Sequence, residues 1–422
     1  MLHQARGGEV DCGEEGFRAS IVATDAAAPV PQTTEHGRDT APASAAAPAI
    51  SRPEGYRAWS KARPLLGIRN AASYISDPCP HRRIDARNGL SIIESNEWWI
   101  RIWDFPRVQI LCLLLLGGGL ALWLDRQAGR WIALGCAVAA GWQLYRIYPY
   151  TPLAKTELAF ADDASTAQSR CFGVLSLNVL ESNRDYGRTA RLIDRVRPDI
   201  LLLMETDQRW ADALAKQLAR YPHRLEQPIG NTYGMIFATR LPMRDGRIET
   251  IAQKDTPSVH AELTAGDRFR VIALHPRPPV PGQDTEARDA EIAIAASRAA
   301  RTKLPVLAIG DFNDVAWSHT SQLFKRVGGY LDARIGRGTF ATFPARTPLL
   351  GWPLDHMFVT PEFKVHSLEV LEDVGSDHLP IHSRLCLTGR SGANKAPDAV
   401  SNEDRKDVKE VLEEYHEDRR ER

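Results

Sequence analysis

VLAIGDFND, residues 306–314, is an uninterrupted apolar run that stops at Gly310 and then delivers Asp311, Asn313 and Asp314. The apolar part shows no polar alternation, so it reads as a strand covered on both faces, which requires a sheet lying between two layers. The C-terminal end of such a strand is where a rigid sheet presents side chains to a crevice. On both sides of this stretch the pattern repeats. VLSLNVL places Asn178 at the end of a strand, DILLLME ends in Glu205, and the strand Arg270 to His275 ends in His275. Further on, PLDHMFV carries Asp355 and His356, and GSDHLP carries Ser376, Asp377 and His378. Strands are also expected at Met235 to Thr239 and Val259 to Leu263. The helices between them are Tyr186 to Val196, Gln208 to Arg220 and the Ala-rich Glu286 to Arg301, with Pro198 and Pro305 as breaks.

The residue types gathered at these strand ends suit one kind of chemistry. A phosphate ester is anionic and repels hydroxide, so its hydrolysis near neutral pH needs a cation and a positioned water. Glu205, Asp377 and the amide of Asn178 are hard oxygen donors suited to Mg²⁺ or Mn²⁺. Bland readings stand beside this one. Asp311 with Asn313 also fits turn chemistry after a strand. Ser376-Asp377-His378 is no Ser/His/Asp triad, because adjacent residues on a strand point to opposite faces. By the same alternation His356 points away from Asp355 and is expected to be structural. Asn183 and Arg184 either contact substrate or cap the helix that follows.

In order and spacing these motifs resemble the endonuclease/exonuclease/phosphatase superfamily, whose members include deoxyribonuclease I, abasic-site endonucleases, neutral sphingomyelinases and inositol polyphosphate phosphatases. The similarity runs from about Phe172 to Leu387, with G-D-F-N 66 residues ahead of S-D-H-x-P. It implies a four-layered α/β sandwich, two stacked mixed sheets flanked by helices. It also implies Glu205 as principal metal ligand, Asp311 orienting or deprotonating the attacking water, and Asn313 holding that water or a phosphate oxygen. His378 would donate to a phosphoryl oxygen with its tautomer fixed by Asp355, and His275 would contact the phosphate or assist the leaving oxygen. One departure is that the abasic-site branch has an acid two positions after the first Asn, where this chain has Leu180 followed by Glu181. That puts a second metal ligand there in doubt. Pro276, Pro278 and Pro279, with the WWIR start at Trp98, look more like a membrane-associated bacterial branch.

The rest of the chain sets the context. Lys+Arg and Asp+Glu number 53 each, and residues 171–388 hold 27 basic against 26 acidic, so bulk charge does not gather polyanions. A local basic rim could come from Arg184, Arg188, Arg334, Arg337 and Arg346. Residues 1–90, Ala- and Pro-rich from Thr24 to Ile50, read as a disordered tail without a secretory apolar run near Met1. Residues 91–150 read as a transmembrane hairpin with spans at about 106–124 and 131–148, because two uncharged runs are separated only by Asp125 to Arg130. Six of the ten tryptophans fall between Trp98 and Trp142. A buried hairpin of a soluble protein is the competing reading. Cys12, Cys79, Cys112, Cys136, Cys171 and Cys386 form no C-x-x-C pair. They suggest neither zinc nor a disulfide framework, and Cys171 and Cys386 are expected as buried free thiols even if their strands pair. Residues 389–422 are a charged tail, a solvated or frayed helix with a thin stripe at Val408, Val411, Leu412 and Tyr415.

The expectation is thus a catalytic domain over 165–388, tethered to a multi-pass bacterial inner membrane. It would use Mg²⁺ or Mn²⁺ on a phosphate ester, with lipid head groups or nucleic acid as substrate and no obligate protein partner. The alternatives are a nuclease, or an inactive membrane-tethered scaffold of the same fold.

Overall fold

Alternation of side-chain direction sorts each apolar run onto two faces of a strand, and this dictates the layering of the computed structural model. The structure describes residues 101–161, 170–278, 285–347, 350–390 and 392–421. The strands in chain order are β1 (Cys171–Asn178), β2 (Ile200–Met204), β3 (His223–Gln227), β4 (Met235–Thr239), β5 (Met243–Thr250), β6 (Pro257–Ala265), β7 (Asp267–Leu274), β8 (Val306–Asp311), β9 (Leu331–Asp332), β10 (Asp355–Val359), β11 (Phe363–Val370) and β12 (Ile381–Leu387). The helices are α1 (Arg107–Leu124), α2 (Gly129–Ile147), α3 (Tyr186–Val196), α4 (Gln208–Ala213), α5 (Ala215–Leu218), α6 (Glu286–Arg301), α7 (His319–Gly328) and α8 (Asn402–Glu421).

Two six-stranded sheets result, ordered β11-β12-β1-β2-β4-β3 and β5-β6-β7-β8-β10-β9. Each has one parallel pair at its centre, β1 with β2 and β7 with β8, and antiparallel neighbours elsewhere. A parallel pair needs a crossover, supplied by α3 in the first sheet and α6 in the second. Inward residues of both sheets, among them Val174, Leu202 and Met204 against Val271, Leu307 and Ile309, form the central core. The alternate residues face outward. Leu175, Leu177, Leu201 and Leu203 pack on Leu192, Ile193, Trp210 and Leu214, while Ile272, Leu274 and Ala308 pack on Ile292, Ala295, Ala296 and Phe324. The expected sandwich of two mixed sheets between helices is therefore present.

Several expectations are corrected. Cys171 and Cys386 are not free thiols. Register sets them opposite each other on β1 and β12, and they form a disulfide. The helix read across Gln208 to Arg220 breaks at Leu214 into α4 and α5. The charged tail is not merely solvated, because α8 docks. Tyr415 is buried and donates to the Ala252 carbonyl at 2.6 Å, and Arg326 pairs with Asp404 at 2.7 Å. Arg334 is no rim residue, since it is 1% exposed and clamps Asp332. The tail 1–90 lies outside the described residues.

The two expected hairpin helices form as α1 and α2, antiparallel and joined at Asp125, whose carboxylate accepts from the Gln127 and Ala128 amides. Among the described residues α1 alone is long and apolar enough to cross a membrane, and 11% of it is buried. Its base is fastened to the sandwich. Arg101 reaches Thr320 at 2.6 Å and Asp314 at 3.4 Å, and Trp317 Nε1 donates to the Asp104 carbonyl at 2.7 Å.

Candidate active site

The C-terminal ends of the two central parallel pairs meet at one place. β1 ends in Asn178 and β2 leads into Glu205, while β7 leads into His275 and β8 ends in Asp311. β10 begins with Asp355, which stands opposite Asp311 in the antiparallel register. The segment entering β12 carries Ser376, Asp377 and His378. Local backbone is bent to serve this meeting point. Glu205 and Asn313 sit at φ 58° and 50°, the left-handed region that non-glycine residues occupy at a cost and mostly at functional sites. Gly310 has φ 139°, and a Cβ there would lie 1.9 Å from the Leu274 carbonyl, so β8 approaches β7 at this point only as glycine.

Asp311 is fully buried and is the hub. The Asn178 amide nitrogen lies 3.2 Å from its Oδ2, His378 Nε2 at 3.5 Å and His275 Nε2 at 3.8 Å from the same oxygen. Its Oδ1 accepts from the Asn313 amide at 2.9 Å. His378 Nδ1 donates to Asp355 Oδ2 at 2.8 Å, which directs its Nε2 to the hub. On the other side the Asn178 amide nitrogen also donates to Glu205 Oε1 at 2.8 Å, while Asn178 Oδ1 accepts from the Leu180 amide at 3.0 Å. Ser376 Oγ donates to the Asn178 carbonyl at 2.7 Å and ties the Asp377-His378 segment to β1.

The electrostatics separate the two imidazoles. Burial opposes a charge on His378, but Asp311 and Asp355 outweigh it and push its ring up to about 10. Burial pulls His275 down to about 4, so it is a neutral base near pH 7. Burial likewise raises the Asp311 carboxyl, against the pull of His378. Glu205 is pushed up to about 7, first by burial and then by Asp377, against the hydrogen bond from Asn178. His275 Nδ1 and Asp355 Oδ1 are buried with no protein hydrogen-bond partner, so the crevice has polar capacity that its own residues leave unused.

A divalent cation suits this donor set. Two carboxylates held close enough for Asp377 to raise Glu205 cost free energy unless a cation neutralises them. Asp311, Asp355 and His378 also bring ligand atoms within 4.8 Å of one another. The 2.8 Å proton-bearing contact between His378 and Asp355 already occupies that group, so the Glu205 and Asp377 side is the better cation position.

Asn183 and Arg184 stand at the edge. Asn183 spends its side chain on backbone, accepting from the Asp185 amide and donating to the Val179 carbonyl of its own loop and the Val374 carbonyl of the segment ahead of β12, and Arg184 is exposed near Asp207 at 3.9 Å. The cap of α3 is Asp185. His356 is buried beneath the site, with Arg334 donating to its Nδ1 and its Nε2 donating to the Asp314 carbonyl. Arg334, expected on a basic rim, and Arg288, which no motif singles out, hold the floor of the site. Arg288 donates to the Asn313 carbonyl at 3.2 Å and Arg334 to the Asp355 carbonyl at 3.4 Å. The one local signal was a run of charges, Arg288, Asp289 and Glu291, inside an otherwise alanine-rich helix.

The sequence model of the Endonuclease/Exonuclease/phosphatase family matches residues 175–378. Solved structures similar to this chain include an endonuclease/exonuclease/phosphatase from Beutenbergia cavernae, at 20% identity over 52% of this chain and 72% of that one, TM-score 0.43. A mannosyl-6-phosphatase from Bacteroides thetaiotaomicron is 19% identical over 50% of this chain and 98% of that one, TM-score 0.42. TDP2 of D. rerio complexed with a single-strand DNA product is 15% identical over 51% and 98%, TM-score 0.42. No curated protein sequence matches the chain. The matched segment contains Asn178, Glu205, His275, Asp311, Asn313 and Asp355 and closes on His378, so residues 175–378 form a domain of the endonuclease/exonuclease/phosphatase family.

Proposed function

We propose that the chain is a membrane-anchored, divalent-metal-dependent phosphoesterase that hydrolyses a phosphodiester or phosphomonoester by attack of water. The observation that carries this reading is the buried Asp311 with His378, His275 and Asn178 all within 3.8 Å of one carboxylate oxygen. Asp311 takes the proton of the attacking water, and the Asn313 backbone bond keeps its carboxylate aimed. His378, charged and locked by Asp355, gives a hydrogen bond from Nε2 to a phosphoryl oxygen. His275, neutral, stands ready to orient the phosphate or the leaving oxygen. Glu205 and Asp377 would hold Mg²⁺ or Mn²⁺, with Asn178 steering Glu205 through its amide nitrogen. Such a cation offsets charge developing on the phosphoryl oxygens.

The apolar, largely exposed α1 supports a bilayer anchor. The Cys171–Cys386 disulfide favours a catalytic domain on the oxidising, non-cytoplasmic side, where such bonds persist.

The test is an assay of the full-length protein in detergent on bis-nitrophenyl phosphate, DNA, RNA, sphingomyelin and phosphoinositides with Mg²⁺, Mn²⁺ or EDTA. Hydrolysis of at least one ester with either cation, lost in EDTA, is expected. Cation-independent hydrolysis would overturn the mechanism, and inactivity on every ester would return the scaffold reading. A pH profile adds a second check. His378 has a ring pKa raised to about 10 from its ordinary ~6.5, so it stays a cationic donor until the pH climbs through that value. The alkaline limb of kcat is therefore expected near pH 10. In Asp355→Asn one of the anions holding the charge is gone, and the limb should move down by ~1–3 units. A limb that stays put would show that another group controls it.

A further inference from the structure

Beyond Phe160, Leu350 is the one large apolar side chain left exposed among the described residues, at 58%. All others of that kind lie between Ile102 and Phe160, on the hairpin or beside it. The position of Leu350 is telling, because its carbonyl accepts a hydrogen bond from Gln109 Nε2 at 2.7 Å. Gln109 is the third residue of α1, ~3 Å along the axis from its start at 1.5 Å rise per residue. Exposed Trp103, Tyr145 and Tyr148 cluster at this same end of the hairpin, as rings do where a span leaves the hydrocarbon.

The described arms of this loop, residues 343–347 and 350–352, also reach inward to the catalytic centre. Phe343 and Trp352 form an antiparallel bridge, and the Trp352 ring lies 5.6 Å from Phe105 and 6.0 Å from Phe343. Phe343 packs on the His378 ring at 4.9 Å, and the Ala345 amide donates to the Asp377 carbonyl at 2.8 Å. One loop therefore touches the root of α1 on its outer side and the catalytic histidine on its inner side.

We propose that the two described arms form a lipid-contacting rim: Leu350 enters the bilayer surface beside α1, and the crevice behind it takes a phosphate ester carried in the head-group layer. The proposal rests on the membrane-anchored phosphoesterase reading above and names its substrate class. Head groups occupy on the order of 5–8 Å on each side of the hydrocarbon, and a loop bonded to the first turn of a span lies at that depth.

Photo-crosslinking tests it in the full-length protein in phosphatidylglycerol vesicles, with p-benzoylphenylalanine replacing Leu350, Leu115 of α1 or the exposed Lys216 of α5 in turn. Lipid adducts are expected at 350 and 115 and not at 216. Adducts at 115 without adducts at 350 would overturn the rim and leave the anchor standing. Absence of adducts at 115 would sink the anchor itself, and the rim with it. For the substrate class, rates on vesicles of phosphatidylglycerol and phosphoinositide are compared with the rate on bis-nitrophenyl phosphate. In Leu350→Asp the ratio of lipid to soluble rate should fall about tenfold, the partition of one leucine side chain. An unchanged ratio, or no lipid hydrolysis by the parent protein, would overturn the head-group assignment.

Discussion

Asp311→Asn is expected to lower kcat on a phosphate ester by about 10²–10⁴-fold, the range of a positioned general base, with KM little changed. The substitution keeps the shape and lets the new amide oxygen go on accepting from the Asn313 backbone. What it removes is the anion at Oδ2, toward which Asn178, His378 and His275 converge. An amide nitrogen placed there meets the donors of Asn178 and His378, so the hub changes from acceptor to donor among donors. His378 also loses the anion that does most to keep it charged, which should move the alkaline limb of the pH profile downward along with the rate. Single-turnover rates of full-length parent and variant, with unfolding midpoints as a control for folding, check this. A loss of kcat smaller than about tenfold with folding intact would remove Asp311 from the reaction.

Asp332→Ala is expected to destabilise the folded protein by ~3–5 kcal/mol, the cost of leaving a buried charge without its partner. Asp332 is fully buried on β9, and both its oxygens are bound by Arg334 at 2.8 to 3.2 Å. Burial works against both groups, yet each partner holds the other charged, with Asp332 lowered and Arg334 raised. Without the carboxylate, the guanidinium remains in the floor beneath Asp355, donating to the Asp355 carbonyl and the His356 ring. That imidazole is held down to about 3 by burial and by Arg334, and as a neutral ring it offers the guanidinium no compensating anion. Urea unfolding of Asp332→Ala beside the double variant Asp332→Leu with Arg334→Met separates the causes, since the double variant removes both charges and should recover most of the loss. A single-variant loss below about 1 kcal/mol would mean the pair is not the buried ion pair described here.

Much of the chemistry was legible because it is local. Strand ends carrying Asn178, Glu205, His275 and Asp311 are visible wherever an uninterrupted apolar run stops at a polar residue. β11 and β12 were harder to see, since their half-exposed alternation dilutes the apolar pattern, and α7 mixes buried Thr320, Ser321 and Lys325 into its inner face. Arg334 read as a surface charge because nothing nearby in the chain announces that Asp332, two residues earlier, is buried with it.

Sequence by itself determined which residues could do chemistry, the order in which they arrive, and the apolar periods that force two covered sheets. Only the tertiary structure decided that Cys171 faces Cys386, that Arg288 and Arg334 brace the carbonyls of Asn313 and Asp355, and that Leu350 lies against Gln109. Register and long-range docking bring these pairs together across tens to hundreds of residues. Local pattern records the direction of a side chain along its own strand, and carries no record of which distant segment will lie opposite.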